Sequence, residues 1–453
     1  MKKKTTVLVL ATSAPHFPVK AAKRTYSDCV RTLKKRLDFD FIGSSRVITD
    51  TASFADELNK LKSGDPDALI LIQGAFTWDN IAVGAHEYLG KIPTLLWAIP
   101  EKDFSSGVLE ANSLCGAIMN NAALHKLKAD NRFCYGRCED DKVTKEIGDL
   151  LKNMTAKKRR RASKAGNLRY GMVGYRPTGF YNSTFDEMRI RKHFGIEAVY
   201  YDVVSLFEDI ARIPHSRVKK DTGLIRKMGK IGRASGGSLE RSSRVYLALK
   251  DFIHKERIDF LGVRCWPEMM NKGMNPCMVL GRLTDEGIAA SCEADFGGAL
   301  SMAIAKQVSG STSWLADLID VSGDKRSFYF WHCGAAPGSL CHEKESPVIN
   351  RQFRGGDRGN TLEFALKEGA VTVLRFGITD DRYRIFAFEG SAVSPDIRLR
   401  GNTSQVIPDN DPQRVLEKII ECGVEHHMAV VYGRHIKALK KLAKEMKVDF
   451  YAG

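Results

Sequence analysis

The chain has 453 residues, which is too many for one compact core, so we expect two to four domains. Hydrophobic residues make up 43% and charged residues 27%, an ordinary globular balance that argues against a disordered chain. No apolar run reaches the roughly 18–20 residues that a membrane-spanning helix needs. The net charge of +16 has three possible explanations: the protein binds nucleic acid, it attracts an anionic small substrate, or the charge keeps it soluble.

The first third of the chain alternates between predicted strands and helices. Val7–Ala11, Asp67–Gly74 and Thr94–Ile99 are continuous apolar runs, and Thr25–Leu37 has helical spacing between the first two. Continuous apolar strands are typical of a parallel sheet that helices cover on both faces. Residues 1–165 are therefore predicted to form an open, Rossmann-like α/β domain.

A basic run, Lys157–Lys164, follows this domain. It could mimic a nuclear localisation signal or a nucleic-acid patch. We interpret it as a solvated helix end and a linker, because a new strand pattern begins just after it. No RNA- or DNA-binding motif accompanies the positive charge, which argues against a nucleic-acid partner.

A second α/β domain is predicted over residues 166–320. Arg169–Tyr175 has a strand pattern, a helix is expected before Gly195, and Glu197–Val204 resembles the next strand. Lys227–Ser238 contains four glycines among basic residues. It lacks the preceding strand and the Lys-Ser/Thr order of a phosphate loop, so we predict a mobile surface loop or lid.

The periodicity changes again in residues 321–453. Ser327–Trp331, Ala370–Phe376 and Tyr383–Glu389 are predicted strands separated by turns rich in Gly and Asp, and helical crossovers between them are scarce. This pattern predicts an antiparallel, barrel-like C-terminal domain. Ala438–Lys447 is predicted to be a basic terminal helix.

The ten cysteines are scattered along the chain. Cys134 and Cys138 are the nearest pair and no second such pair exists, whereas a structural zinc site needs about four ligands at short spacings. We interpret all ten as free thiols in a reducing compartment, which predicts a cytoplasmic protein.

Four segments bring side chains that can bind metals to predicted strand ends. The first contains Glu268, the second Glu293 and Asp295, the third His332, and the fourth His426 and His427. Each has a bland alternative, such as a solvated acid, a helix cap or a hydrogen-bonded core histidine. Adjacent histidines on one strand point to opposite faces, so at most one of that pair is expected at a common site. Together, two carboxylates and one or two imidazoles would suit Mn²⁺, Co²⁺ or Zn²⁺.

These segments resemble the L-fucose/L-arabinose isomerase family, and the resemblance extends over essentially the whole chain. Short motifs in the same order along the sequence carry it: Arg176–Glu187 with Phe194-Gly195, Trp266-Pro267-Glu268, Glu293–Leu300, Trp331–Gly334, and His426-His427 ahead of Tyr432-Gly433. The resemblance implies a subunit of two α/β domains and a barrel-like domain. It also implies a homo-oligomer, with hexamers common.

The resemblance further implies a divalent-metal site, with Mn²⁺ favoured, and no organic cofactor. The ligands carried over are Glu268, Asp295 and His427, with His426 as the alternative to His427. His332 is implied either as a fourth ligand, as in the arabinose branch, or as a residue that hydrogen-bonds the substrate.

The implied reaction is an aldose–ketose isomerisation, in which a proton moves between C1 and C2 of a monosaccharide through a cis-enediol. The metal would act as a Lewis acid on the adjacent oxygens. Glu268 and Asp295 would serve as general base and acid, with the order left open. His426 and Trp266 are candidates for contact with the substrate.

The basic charge departs from family members that act on neutral sugars. We therefore predict that arginines near the pocket bind an anionic hexose, as in the family's sulfoquinovose isomerases. Arg264, Arg176 and Arg375 are the candidates, because a guanidinium can donate two hydrogen bonds to a sulfonate or phosphate. In the alternative interpretation, they pair with acids between domains or subunits. A non-catalytic sugar-binding protein or a nucleic-acid-binding protein are the other functions considered.

Overall fold

The structure is a computed structural model that describes most of the chain. The described residues are 4–15, 17–44, 46–60, 66–90, 92–102, 110–155, 168–322, 324, 326–352, 358–379 and 381–453. They divide into two compact units: residues 1–167 with 191–195, and residues 168–190 with 196–453.

The first unit contains a five-stranded parallel sheet in the order β2-β1-β3-β4-β5, the order of a doubly wound α/β sheet. Its strands are β1 Thr6–Thr12, β2 Asp40–Gly43, β3 Ala68–Gln73, β4 Thr94–Ala98 and β5 Asn131–Tyr135. Its helices are α1 Val19–Arg36, α2 Thr51–Lys60, α3 Asp79–Tyr88, α4 Ser113–Lys126 and α5 Asp141–Thr155.

The local sequence explains these elements. Every residue of β3 is buried, as expected for a strand covered on both faces. Helix α1 instead buries one stripe at helical spacing, Ala22, Tyr26, Cys29 and Leu33, and exposes most of its lysines and arginines.

The second unit begins with a four-stranded parallel sheet in the order β10-β9-β6-β7. Its strands are β6 Arg169–Val173, β7 Glu197–Tyr201, β9 Phe260–Val263 and β10 Ala289–Cys292. The helices of this stretch of chain are α6 Glu187–Phe194, α7 Val203–Arg212, α8 His215–Ile225, α9 Gly236–Glu256, α10 Glu268–Asn271, α11 Cys277–Asp285 and α12 Phe296–Ser309.

A large mixed sheet follows, in the order β19-β16-β15-β18-β11-β12-β17-β14-β13-β8. Because β16 also pairs with β17, the six strands from β16 to β17 in that order close into a barrel. The strands are β8 Lys230–Ile231, β11 Ser313–Val321, β12 Phe328–His332, β13 Val348–Arg351, β14 Asn360–Ala365, β15 Gly369–Thr379, β16 Arg382–Val393, β17 Asn402–Pro408, β18 His427–Tyr432 and β19 Asp449–Ala452. The helices are α13 Pro412–Glu421 and α14 Ile436–Met446.

The predicted α/β class with a barrel-like C-terminal part is confirmed in this form. One local prediction is wrong, because Lys227–Ser238 is no free loop. Lys230 and Ile231 pair in parallel with Val348 and Ile349, a long-range contact that no local pattern encodes. The predicted linker Lys157–Lys164 lies outside the described residues. Among the described helices, none has the length and apolarity to cross a bilayer.

Candidate active site

A cavity of about 700 Å³ opens in the second unit, where the carboxyl ends of β9 and β10 meet the barrel strands β11, β12 and β18. Its volume falls within the usual range of about 300–1,000 Å³ for small-molecule sites. Of the predicted site residues, Trp266, His332, His426 and His427 line it. The parallel sheet thus presents its ligand end to the barrel, as open α/β sheets commonly do.

Glu293 enters this cavity from the end of β10. Glu293 and Ala294 both have left-handed backbones, with φ of 58° and 51°, which costs on the order of 1–3 kcal/mol for each such residue. The turn directs Glu293 into the cavity and leaves Asp295 behind it as the cap of α12. Trp266 Nε1–H donates to Glu293 Oε1 at 3.1 Å. Predicted as a substrate contact, Trp266 therefore also orients this carboxylate.

Asp317 approaches from the barrel side. It lies directly opposite His427 in the antiparallel pairing of β11 with β18. Asp317 Oδ1 is 3.4 Å from His427 Nε2, and Glu293 Oε2 is 3.8 Å from the same nitrogen. Both oxygens are buried, and neither has a hydrogen-bond partner in the described part of the chain. Two buried anionic oxygens without partners are costly unless a cation or a ligand proton joins them.

The described residues contain two groups with metal-ligand spacing: Glu293 with His426 and His427, and Asp317 with His332 and His427. His427 is common to both groups. Burial opposes ionisation of Glu293, but His426, His427 and Trp266 outweigh it and hold its pKa below the ordinary value. Glu293 therefore presents a carboxylate at neutral pH.

His427 is fixed from behind by Asp295. Its Nδ1 is 3.0 Å from Asp295 Oδ2, and both side chains are almost completely buried. Burial disfavours the charge on Asp295, yet Arg375 and His427 hold the pKa of this carboxyl far below its usual range. A carboxylate can only accept, so Nδ1 of His427 carries a proton, and the neutral form of this imidazole has its lone pair on Nε2, the nitrogen that faces Glu293 and Asp317. Metal-binding histidines commonly have this carboxylate support.

In His332 and His426, the other two histidines of the cavity, Nδ1 accepts a hydrogen bond and Nε2 carries the proton. The backbone N–H of Cys333 donates to Nδ1 of His332 at 2.9 Å, so neutral His332 carries its proton on Nε2. The amide nitrogen of Asn182 lies 2.6 Å from Nδ1 of His426, which likewise leaves Nε2–H pointing to Glu293 at 3.5 Å. Burial lowers the pKa of His426, but Glu293 and Asp317 raise it above the ordinary value. Both side chains are therefore equipped as hydrogen donors.

Both histidines of the adjacent pair reach the site, contrary to the expectation from strand alternation. The strand begins at His427, so His426 precedes the pleated segment and its ring is free to turn the same way. The two ring centroids are 3.8 Å apart.

The predicted acids Glu268 and Asp295 do not line the cavity. Glu268 is on α10 and pairs with Arg264, with N–O distances of 2.7 Å. Asp295 is enclosed by Arg375, which donates to both of its oxygens at 2.6 and 3.0 Å, by His427, and by the N–H of Gly298 at 3.0 Å. The structure thus places both acids in ion pairs beside the cavity.

The three predicted anion-binding arginines also lie outside the cavity lining. Arg375 is fully buried between Asp295 and Glu425, and Arg264 pairs with Glu268. Arg176 packs over the rings of Tyr175 and Tyr181, 5.3 and 5.0 Å from their centroids.

Sequence reasoning missed Asp317, Arg358 and a group of thiols. Asp317 and Arg358 line the cavity, as do Cys265, Cys292 and Cys333. Cys265 Sγ lies 2.9 Å from Cys292 Sγ, and Cys277 Sγ lies 3.2 Å from Cys333 Sγ. All ten cysteines are free. A charged residue in the middle of an apolar barrel strand was the one available signal for Asp317.

Comparison with known proteins places this chain among sugar isomerases. Residues 323–452 match the family model described as L-fucose isomerase, C-terminal domain. The whole chain is similar to proteins named sulfoquinovose isomerase. One from Alkalicoccus urumqiensis is 29% identical over 84% of this chain and 85% of its own. One from Priestia aryabhattai is 26% identical, and one from Clostridium sp. (strain MSTE9) 27%, each over 98% of both chains.

The matched domain contains His332, His426 and His427, and the match to the Priestia aryabhattai protein, over 98% of the chain, also spans Glu293 and Asp317. The predicted family and the predicted enzyme class are confirmed by these matches. The chain is a sugar aldose–ketose isomerase, and its residues 323–452 belong to the L-fucose isomerase C-terminal domain family.

Proposed function

We propose that this enzyme is a divalent-metal-dependent isomerase of an anionic hexose, with sulfoquinovose as the first candidate. One observation carries the metal site. Glu293 Oε2 and Asp317 Oδ1, both buried and without hydrogen-bond partners among the described residues, converge on Nε2 of His427. Two carboxylates and an imidazole suit Mn²⁺, which remains the favoured ion.

The proposed ligands are thus Glu293, Asp317 and His427. This set replaces Glu268 and Asp295, whose oxygens are engaged by arginines, and it keeps His427 over His426 on the basis of the tautomers. His332 is assigned the second role considered for it, a hydrogen bond to the substrate, because its Nε2 carries the proton.

A bound divalent ion would polarise the two adjacent oxygens of the sugar as a Lewis acid. The protein moves the proton between C2 and C1. Glu293 is ionised and Trp266 orients it through Oε1, so we assign it the role of general base in addition to its role as a ligand. His426 and His332 carry N–H groups on the same cavity and are assigned to protonating and orienting the sugar oxygens. Phe180, Trp266 and Trp331 exclude water around the sugar ring.

The first experiment incubates purified enzyme with sulfoquinovose in D₂O, with Mn²⁺ or with EDTA, and follows the sugar by NMR. Ketose formation that requires Mn²⁺, with deuterium entering at the carbon that receives the proton, is the expected result. Ketose formation at an equal rate in EDTA would refute the metal site. No turnover of sulfoquinovose beside rapid turnover of L-fucose or D-arabinose would refute the anionic substrate.

Matched variants test the ligand assignment. Glu293→Gln and Asp317→Asn should lose Mn²⁺ binding in calorimetry, whereas Glu268→Gln should keep it. The homo-oligomer, with a hexamer as the implied form, and the cytoplasmic location remain predictions that rest on the family and on the free thiols. Light scattering on the purified protein measures the subunit count.

A further inference from the structure

We propose that Arg358 binds the anionic group of the substrate and thereby sets the enzyme's preference for an acidic hexose. This inference rests on the proposed function, because it names the recognition element of that same cavity. Arg358 is the one arginine or lysine among the described residues that line the cavity. None of the three arginines predicted from sequence has this position.

The guanidinium of Arg358 has no acidic partner among the described residues. Within the described part of the chain, its one side-chain hydrogen bond runs from Nη1 to the thioether sulfur of Met270, at 3.0 Å, and a thioether is a weak, uncharged acceptor. Arg264, Arg375 and Arg384 each pair with a carboxylate instead. A half-buried cation whose side chain lies against the thioether of Met270 is costly unless an anion joins it.

The backbone holds Arg358 in place. Its carbonyl accepts from the N–H of Asn275 at 3.0 Å, and Asn275 and Gly359 form an isolated parallel bridge. Gly359 has a φ of 106°, and a Cβ there would lie 2.7 Å from both N and O of Asn275. Only glycine permits this approach, so the backbone from which the Arg358 side chain projects is fixed before any ligand arrives.

The chemistry that fits this site is a tetrahedral oxyanion on the sugar. Glu293 and Asp317 hold the negative side of the cavity for the metal, and Arg358 supplies the fixed positive group. A guanidinium donates two parallel hydrogen bonds to a sulfonate or a phosphate. The sulfonate of sulfoquinovose and the phosphate of glucose 6-phosphate share this chemistry, and glucose is the neutral sugar of the same shape.

The test compares kcat/KM for these three sugars in wild-type enzyme, Arg358→Gln, Arg358→Lys and Arg414→Gln. Arg414 is an exposed arginine on α13, so its variant loses the same formal charge away from the cavity. Arg358→Gln should lower kcat/KM for the preferred anionic sugar about 10–100-fold, chiefly through KM, and change that for glucose less than about threefold. Arg358→Lys should recover part of the loss, and Arg414→Gln should match wild type. The sugar with the larger loss identifies sulfonate or phosphate as the ligand.

A second measurement needs no turnover. Saturation-transfer NMR should detect sulfoquinovose or glucose 6-phosphate on wild-type and Arg414→Gln protein and lose the signal with Arg358→Gln. Equal losses for glucose and the anionic sugars, or an unchanged ratio between them, would overturn the role of Arg358. Absence of turnover with every sugar would refute the proposed function alone, since the binding comparison still decides the role of Arg358. Unchanged melting temperatures show that the variants are folded.

Discussion

Replacing Asp295 by asparagine tests whether Asp295 binds the metal directly or only orients the metal ligand His427. The amide would keep the shape of the side chain and remove its charge. Arg375, which is fully buried, would then retain Glu425 as its one carboxylate partner among the described residues. Removing one member of a buried ion pair costs about 3–5 kcal/mol, and losing the carboxylate behind a metal-binding histidine weakens the metal about 10–100-fold.

The assay pairs urea unfolding of the metal-free protein with Mn²⁺ calorimetry on Asp295→Asn and Glu293→Gln. We expect Asp295→Asn to be the less stable variant and to bind Mn²⁺ weakly, with turnover recovering at high Mn²⁺. Glu293→Gln should lose less stability than Asp295→Asn, because no arginine pairs with Glu293 among the described residues, and its turnover should not recover. If Asp295→Asn abolishes Mn²⁺ binding and leaves stability unchanged, Asp295 is a direct ligand and our reasoning is wrong.

The same variant predicts a change in acid stability. Arg375 and His427 hold the pKa of Asp295 far below its unfolded value. A depressed pKa stabilises the fold above the unfolded pKa, about 3.9, and this stabilisation is lost as the pH falls below it. Wild-type protein should therefore lose stability more steeply in acid than Asp295→Asn, measured by circular dichroism.

Three further outcomes follow from the site. Glu268→Gln should keep kcat within about threefold of wild type, whereas Glu293→Gln should lower it by at least about 100-fold, the usual worth of a general base; equal losses would return Glu268 to the site. Trp266→Phe should raise the pKa of Glu293 by removing the Nε1–H donor, so the acid limb of kcat/KM should move to higher pH; an unmoved limb would exclude Glu293 as the titrating base. Hydrogen peroxide should join Cys265 to Cys292 with loss of activity that dithiothreitol restores, and Cys292→Ser should resist; mass spectrometry reads the bond.

The sequence predicted the layers of the fold well. β3 and β4 are continuous apolar runs, and their burial needs no knowledge of partners. β8 escaped prediction because its two residues are held by β13, more than a hundred positions along the chain. Short edge strands depend on their neighbours for definition, and local patterns do not contain those neighbours.

The sequence patterns identified the segments that form the site, but they did not identify which acids and which arginine line the cavity. Glu293 and Asp295 are two residues apart, and their roles depend on two left-handed residues, Glu293 and Ala294, of a kind that sequence patterns expect of glycine or asparagine. Asp317 faces His427 only because β11 and β18 pair in one register. The ion pairs that occupy Arg264 and Arg375 are likewise tertiary contacts, so charge alone could not select Arg358.

Gly297 and Gly298, the pair after Asp295, pack closely against Arg375, which lies 80 positions after that acid in the chain. A Cβ at Gly297 would lie 2.8 Å from Nη2 of Arg375, and one at Gly298 would lie 2.6 Å from Asp295 Oδ2. The carbonyl oxygen of Phe376 would also lie 2.8 Å from the Cβ at Gly297, so the guanidinium, the carboxylate it holds and the backbone of β15 together fill the space of two first-turn side chains. Among related chains, we therefore expect both glycines to persist wherever β15 packs against the start of α12, even where the arginine is replaced.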